Sequence, residues 1–254
     1  MRIISYNVNG IRAAMRKGLV EWLNEEKPDV LCVQETKAHP EQVDVKYFEH
    51  LGYKHYWTSA EKKGYSGVAI FSREAPDNIE TGCGNPKYDS EGRIIRADFG
   101  ELSIVNTYFP SGSSGDIRQD FKMEFLDCYL GFIKKLKKER PKLIVAGDYN
   151  ICHKPIDIHD PVSNKDSSGF LPEEREWMDQ YFESGMIDTF RKFDSSPDNY
   201  SWWSYRARAR ERNKGWRIDY IATTENLENN LEDAGIMQEA MHSDHCPVYI
   251  DLKL

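Results

Sequence analysis

Val30-Leu31-Cys32-Val33 is a short, uninterrupted apolar run, closed at once by Gln34-Glu35-Thr36-Lys37. A run of this length without alternation marks a strand buried on both faces, which requires packed layers above and below it. The same pattern returns at Leu143-Ile144-Val145-Ala146, closed by Gly147-Asp148-Tyr149-Asn150. Two doubly covered strands, each running into polar and acidic side chains, point to an α/β protein whose chemistry sits at strand ends.

Working outward, further strands are expected at residues 2–6, 67–72, 102–109, 216–223 and 246–254. The last of these follows Ser243-Asp244-His245-Cys246-Pro247-Val248, so a histidine beside a carboxylate stands on the lip of a sheet. Helices are expected at 18–27, with Leu19, Trp22 and Leu23 on one face and Pro28 as the stop, and at 40–50. A long amphipathic helix is expected over 117–138, its lysine-rich end suiting the helix dipole, and another over 172–183 with proline in its first turn. Ser111 to Gly115 is a loop tip too short to separate domains, and no repeat or low-complexity tract interrupts the chain. Residues 1–254 therefore read as a single α/β domain of stacked sheets with outer helices.

The 254 residues are 39% hydrophobic and 30% charged, the composition of a soluble globular protein. No apolar run is long enough to span a bilayer, and no basic or apolar leader precedes the first strand, so a cytoplasmic protein is expected. Cys32, Cys83, Cys128, Cys152 and Cys246 are odd in number and never at metal spacing, which suits reduced thiols. A net charge of −8 weighs against nucleic acid until its distribution is considered. Residues 201–218 hold Trp202, Trp203 and Trp216 together with Arg206, Arg208, Arg210, Arg212, Lys214 and Arg217 against Glu211, a net of +5. Such a segment is either a solvated loop over two core tryptophans or a phosphate-tracking loop that enters a groove.

Six expected strands deliver polar cargo near one end: Asn7 and Asn9; Glu35; Asn106 and Tyr108; Asp148 and Asn150; Asp219; Asp244 and His245. Each alone is an ordinary turn or cap. Together they form a rim of hard oxygen ligands without paired histidines or cysteines, which favours Mg²⁺ or Mn²⁺ over zinc. A divalent cation on one or two carboxylates, with a histidine nearby, is the equipment of phosphoryl chemistry.

Asn7-Val8-Asn9-Gly10-Ile11-Arg12, Gln34-Glu35-Thr36-Lys37, Lys63-Gly64-Tyr65-Ser66-Gly67, Asn106-Thr107-Tyr108-Phe109-Pro110, Gly147-Asp148-Tyr149-Asn150, Gly215-Trp216-Arg217-Ile218-Asp219-Tyr220 and Ser243-Asp244-His245-Cys246-Pro247-Val248 follow one another in this order. In this the chain resembles the exonuclease III family of abasic-site endonucleases, from residue 2 to the last strand. Several of these blocks are shared with the wider endonuclease/exonuclease/phosphatase superfamily. The Gly-Trp-Arg-Ile-Asp-Tyr block is more specific to its DNA-repair branch.

The resemblance implies a four-layer αββα sandwich and Mg²⁺-dependent cleavage of duplex DNA 5′ to an abasic site, leaving a 3′-hydroxyl, with 3′→5′ exonuclease and 3′-end-trimming activity. It implies that Glu35 is the main metal carboxylate, with Asn9 close by where some relatives carry Asp. It gives Asp148 the attacking water, or alternatively the leaving oxygen, and makes Asn150 its helper. His245 and Tyr108 would contact the scissile phosphate, Asp219 would partner His245, and Asn7 and Asp244 would hold the network. Trp202, Trp216 and Ile218 align with a pocket for the base-less sugar, and Arg206 with a position that enters the DNA stack. Lys63, Gly64 and Tyr65 would form a second contact loop and Arg12 a third. Ser111 departs from the asparagine common in the family. The partner implied is double-stranded DNA bound by a monomer.

Two rival readings share part of this equipment. A superfamily phosphodiesterase acting on a small phosphorylated head group uses the same strand-end blocks but gives no reason for tryptophans flanking a basic loop. A non-catalytic DNA-binding protein gives no reason for the acids and bases. His39, His50, His55, His153, His159 and His242, the lysine run 134–138 and Cys246 are assigned structural or surface roles.

Overall fold

The computed structural model describes residues 1–253, and among them two six-stranded sheets stack face to face with helices outside each. The strands are β1 (Arg2–Asn7), β2 (Val30–Gln34), β3 (Lys54–Thr58), β4 (Val68–Ser72), β5 (Asn78–Thr81), β6 (Ile94–Phe99), β7 (Leu102–Tyr108), β8 (Lys142–Asp148), β9 (Met186–Asp188), β10 (Asp219–Thr224), β11 (Leu231–Ile236) and β12 (Val248–Leu252). The helices are α1 (Ile11–Arg16), α2 (Leu19–Glu26), α3 (Lys46–His50), α4 (Pro86–Asp89), α5 (Asp116–Glu139), α6 (Pro172–Glu183) and α7 (Thr189–Phe193). One sheet runs β11-β12-β1-β2-β4-β3 and the other β5-β6-β7-β8-β10-β9. Each has one parallel pair at its centre, β1 with β2 and β7 with β8, and antiparallel neighbours elsewhere.

The apolar runs are continuous because both faces of these strands are covered. Val30 and Cys32 of β2 pack between the sheets, while Leu31 and Val33 pack outward with Leu19 and Leu23 of α2. Ile144 and Ala146 of β8 likewise face the inter-sheet core, and Leu143 and Val145 face Phe125, Leu126 and Tyr129 of α5. A slip of one residue would exchange the two sets, and each fully buried side chain is worth roughly 1.5–3 kcal/mol, so register is strongly held. The αββα sandwich expected from the sequence is therefore present.

The departures are local. The expected helix over 40–50 is a 3₁₀ turn at Pro40–Gln42 followed by α3, because Val43 is extended and buries its side chain among the outer-face residues. The strand expected at 216–223 begins at Asp219; Trp216 makes only isolated bridges to Trp202 and Ile158. The strand expected at 246–254 begins at Val248, and Leu254 lies outside the described residues. Edge strands β3, β5, β9 and β11 were not anticipated, since they are short or carry charge where one face meets solvent. Nor was interior strand β6, whose apolar run is broken by the buried pair Arg96 and Asp98. Among the described residues, no helix is long and apolar enough to cross a membrane.

Candidate active site

The two central parallel pairs bring their C-terminal ends to one edge of the sandwich. Asn7 pairs with Gln34 across β1 and β2, and Tyr108 with Asp148 across β7 and β8. The antiparallel neighbour β10 begins there with Asp219 opposite Asp148, and the segment entering β12 brings Asp244 and His245. Gly147 permits this junction: a Cβ there would fall 1.9 Å from the Thr107 carbonyl oxygen. Beneath it, Asn106 joins the sheets, accepting from Gln34 at 2.7 Å and donating to the Val33 and Ala69 carbonyls.

Asn7 is fully buried and spans the sheets at the site itself. Its amide nitrogen donates to Glu35 at 3.0 Å and to Asp148 at 2.8 Å, while its oxygen accepts from the Asn9 backbone. Asn9, Glu35, Lys37 and Asn150 all take left-handed backbone angles, which for Glu35 and Lys37 is costly conformation held by the surroundings. Lys37 pairs with Glu35 at 2.6 Å and donates to the Asn9 side-chain oxygen. Asn9 also donates to Asp244 at 2.9 Å, so it reaches Glu35 through Lys37.

His245 lies between two acids. Its Nδ1 is 2.9 Å from Asp219, and its Nε2 is 3.9 Å from Asp148. Burial works against a charged imidazole, but the Asp219 carboxylate outweighs it and raises His245 to about 10. Burial, then repulsion from Asp219, lifts Asp148 to about 7 against the pull of His245. Asp148 accepts from the Asn150 backbone at 2.9 Å and from its side chain at 3.3 Å. For Glu35, burial is outweighed by Lys37 and the Asn7 amide, leaving its carboxyl below the usual range. Burial and the Glu35 carboxylate push the Tyr108 phenol well up, so it remains a proton donor at neutral pH. Asp244 is held low, despite burial, by His245 and by donors from Asn9 and the Trp202 indole at 3.1 Å.

Glu35, Asp148 and His245 each present a ligating atom within 4.8 Å of the others. Because His245 is cationic and commits Nδ1 to Asp219, the two carboxylates are the groups suited to a hard divalent cation. Donor chemistry and spacing fit such an ion.

These side chains open into one cavity of about 320 Å³ whose far wall is Trp202, Trp216 and Ile218, with Ser111 also at its edge. The two indoles meet edge to face at 5.9 Å. Gly169 lies under Trp216, where a Cβ would come within 2.9 Å of the ring. Ser113 and Ser168 line the cavity too and were not singled out in the sequence. Ser201 was also missed: its hydroxyl donates to Asp219 at 2.6 Å and accepts from the Ile218 and Asp219 backbones.

The remaining residues lie outside the cavity. Tyr65 is tied to Arg93 at 2.8 Å, and Arg93 donates to the Tyr108 carbonyl at 2.9 Å and stacks on its ring, so that loop is linked to Tyr108. Lys63 and Gly64 belong to the same loop. Arg12 lines a separate groove with Arg16 and Tyr47, and Arg206 is exposed. The basic segment needs correction: Arg217 is buried against Asp157 and Asp188, and Arg210 turns inward. Arg206, Arg208, Arg212 and Lys214 remain exposed beside Glu211, a net of +3. Trp203 is core, whereas Trp202 and Trp216 are the half-buried cavity pair.

Lys122 of α5 was missed as well. It is fully buried, pairs with Glu174 of α6, and donates to the Asn150 carbonyl at 2.9 Å. Glu174 in turn accepts from the Gly169 and Leu171 backbones. The pair braces the Asn150 turn against the cavity wall. Its position on the same helix face as Phe125, Leu126 and Tyr129 was the available sequence signal.

The model of the Endonuclease/Exonuclease/phosphatase family matches residues 4–245. An exodeoxyribonuclease of Bacillus subtilis is 41% identical over the full length of both chains. The DNA repair nuclease APEX1 of Danio rerio is 38% identical over 99% of this chain and 82% of its own. Among solved structures, an AP endonuclease from Archaeoglobus fulgidus superposes with a TM-score of 0.91 at 30% identity, covering both chains completely. A 3′-5′ exonuclease from Neisseria meningitidis gives 0.93 at 26% identity, again over both whole chains. The chain belongs to the Endonuclease/Exonuclease/phosphatase family.

Proposed function

We propose that the protein is a DNA-repair nuclease that hydrolyses the phosphodiester 5′ to an abasic site in duplex DNA, leaving a 3′-hydroxyl, and that also trims 3′ ends exonucleolytically. The observation that carries this reading is the single cavity in which Trp202, Trp216 and Ile218 face Asp148, His245 and Glu35. An apolar, aromatic wall suits a sugar without a base, and an extruded abasic sugar is the cheapest to deliver there.

Glu35, with Asn9 close by, would hold Mg²⁺ or in its place Mn²⁺. When bound, the ion neutralises charge on the phosphate undergoing displacement. The imidazolium of His245 donates from Nε2 to a non-bridging phosphate oxygen, and its Nδ1–H stays on Asp219. The Tyr108 phenol supplies a second donor. Asp148, poised near neutrality, takes the proton of the attacking water, which Asn150 helps place. Asn7 fixes the relative positions of Glu35 and Asp148, and Asp244 fixes the loop that carries His245.

Outside the cavity, Arg206, Arg12 and the Lys63-Gly64-Tyr65 loop contact the duplex without reading sequence. Ser111 offers a hydroxyl where an amide would reach farther. Residues 1–254 act as one catalytic domain and as a monomer.

The test is a duplex carrying one abasic analogue, incubated with and without Mg²⁺, with the product ends resolved. Mg²⁺-dependent nicking to a 3′-hydroxyl 5′ of the lesion is expected. Absence of nicking, or stronger competition by inositol phosphates than by abasic duplex, overturns the reading.

A further inference from the structure

Arg210 sits in the middle of the basic segment, yet its guanidinium faces the protein. Nη2 donates to the carbonyls of Gln238 at 2.6 Å and Ala240 at 2.7 Å, and Nη1 donates to that of Ser243 at 3.3 Å. The guanidinium carbon also lies 4.6 Å from the centre of the Trp203 ring. All three carbonyls belong to residues 237–247, the irregular connection between β11 and β12 that carries Asp244 and His245. Within itself this connection is closed at its base by Met237 N–H to the Pro247 carbonyl at 2.8 Å and turns locally through Ala240 N–H to Met237 at 3.1 Å. Irregular backbone must find partners elsewhere. Here one side chain serves three carbonyls.

We propose that Arg210 is a positioning residue for the cleavage proposed above, fixing the 237–247 connection so that His245 meets Asp219, and that it is not a contact to the DNA backbone. The inference rests on that functional reading. Residue 244 is held from both sides: Arg210 binds the Ser243 carbonyl, and the Trp203 backbone N–H donates to the Asp244 carbonyl at 3.0 Å. Trp203 is itself buried and donates from its indole to Asn213 at 3.1 Å, so the platform under Arg210 is rigid. The carbonyls are spread over residues 238–243, a span that a planar fork covers and a compact ammonium does not. Its neighbours behave differently. Arg206, Arg208 and Arg212 are exposed, and among the described residues Arg208 pairs only with Glu211 at 3.6 Å.

The experiment compares the full-length parent with Arg210→Met, Arg210→Lys and Arg206→Met. Abasic-duplex affinity is measured across salt concentrations without added metal, and single-turnover incision is measured at saturating enzyme with Mg²⁺. The low-field NMR signal of the His245 Nδ1 proton is followed in the free proteins. Arg206→Met should lower the salt slope by about one, the loss of one phosphate contact, whereas Arg210→Met should keep the parental slope. Arg210→Met should incise at least about tenfold more slowly when saturated, with Arg210→Lys recovering little and the imidazole signal lost or broadened. Should Arg210→Met melt below the assay temperature, Arg210→Lys carries the same readouts. Any fall in its salt slope, or a parental incision rate with an unchanged imidazole signal, overturns the proposal. If the parent itself does not incise abasic DNA, the functional reading fails, and the imidazole signal alone decides whether Arg210 positions His245.

Discussion

Asp148 and Asp219 stand directly opposite each other on neighbouring strands β8 and β10, with the imidazole of His245 within reach of both. Opposed carboxylates repel, the more so when buried. The cationic ring makes the arrangement tenable; burial, then Asp219, leaves Asp148 near 7, and against burial the Asp219 carboxylate leaves His245 near 10.

The first consequence concerns rate. With Asp148 as the base and His245 as a cation, kcat/KM should rise through about 7 and fall through about 10. A steady-state profile on abasic duplex measures this. A rate that falls through the lower value would give Asp148 the acid role instead. Asp219→Asn should move the upper limb down toward the ordinary histidine value and slow incision by about 10²–10⁴-fold.

The same shifts set the sign of stability against pH. Asp148 moves from 3.8 to about 7 on folding and His245 from 6.5 to about 10, so the folded state binds more protons between each pair of values. Stability from both groups is present at low pH and is lost as pH rises through the folded values. The contribution of these two groups to metal-free stability should therefore fall from about pH 5 to about pH 9, and Asp148→Asn should remove the lower part of that fall relative to the parent. Calorimetry across this range checks it.

Replacing Asp148 or His245 by alanine should slow incision by about 10²–10⁴-fold while leaving abasic-duplex affinity within about threefold. Single-turnover rates and gel-shift titration separate the two effects. Unchanged turnover in either variant removes that residue from the mechanism.

Gly169→Ala tests the cavity wall. The residue has φ +95°, and a Cβ would lie 2.9 Å from the Trp216 ring and 3.0 Å from the Asn150 carbonyl. The substitution should destabilise by about 1–3 kcal/mol and slow cleavage, because both the wall and the Asn150 turn must give. Denaturant melts and incision assays on the same preparation would show the two losses together.

Lys122→Met leaves Glu174 charged and buried without its partner, a change that should cost about 3–5 kcal/mol. Adding Glu174→Gln should recover most of that stability, as neutralising both members removes the unpaired charge. Urea titration of the single and double variants is the measurement. A double variant no more stable than the single would show that the pair is not coupled.

The layered architecture was legible because Val30–Val33 and Leu143–Ala146 are apolar on both sides of the pleat, and only packing layers on each face accounts for that. The strand-end residues were legible for the same reason: polar side chains directly after a buried strand stand at its rim. Edge strands such as β5 and β9 were not, since a short strand with one wet face carries little apolar signal. Charge was the least legible property. Arg206, Arg210 and Arg217 are equivalent in composition, yet one faces solvent, one clamps three carbonyls and one is buried between two aspartates.

The sequence by itself determined the layers, the order of the strand-end blocks and the residue types at the rim, because these follow from periodicity and from what a strand end can hold. Only the tertiary structure decided that Asn7 bridges Glu35 and Asp148, and that Lys122 braces the Asn150 turn. Those relations join residues far apart in the chain, and they arise only when two sheets stack and bury their charges together.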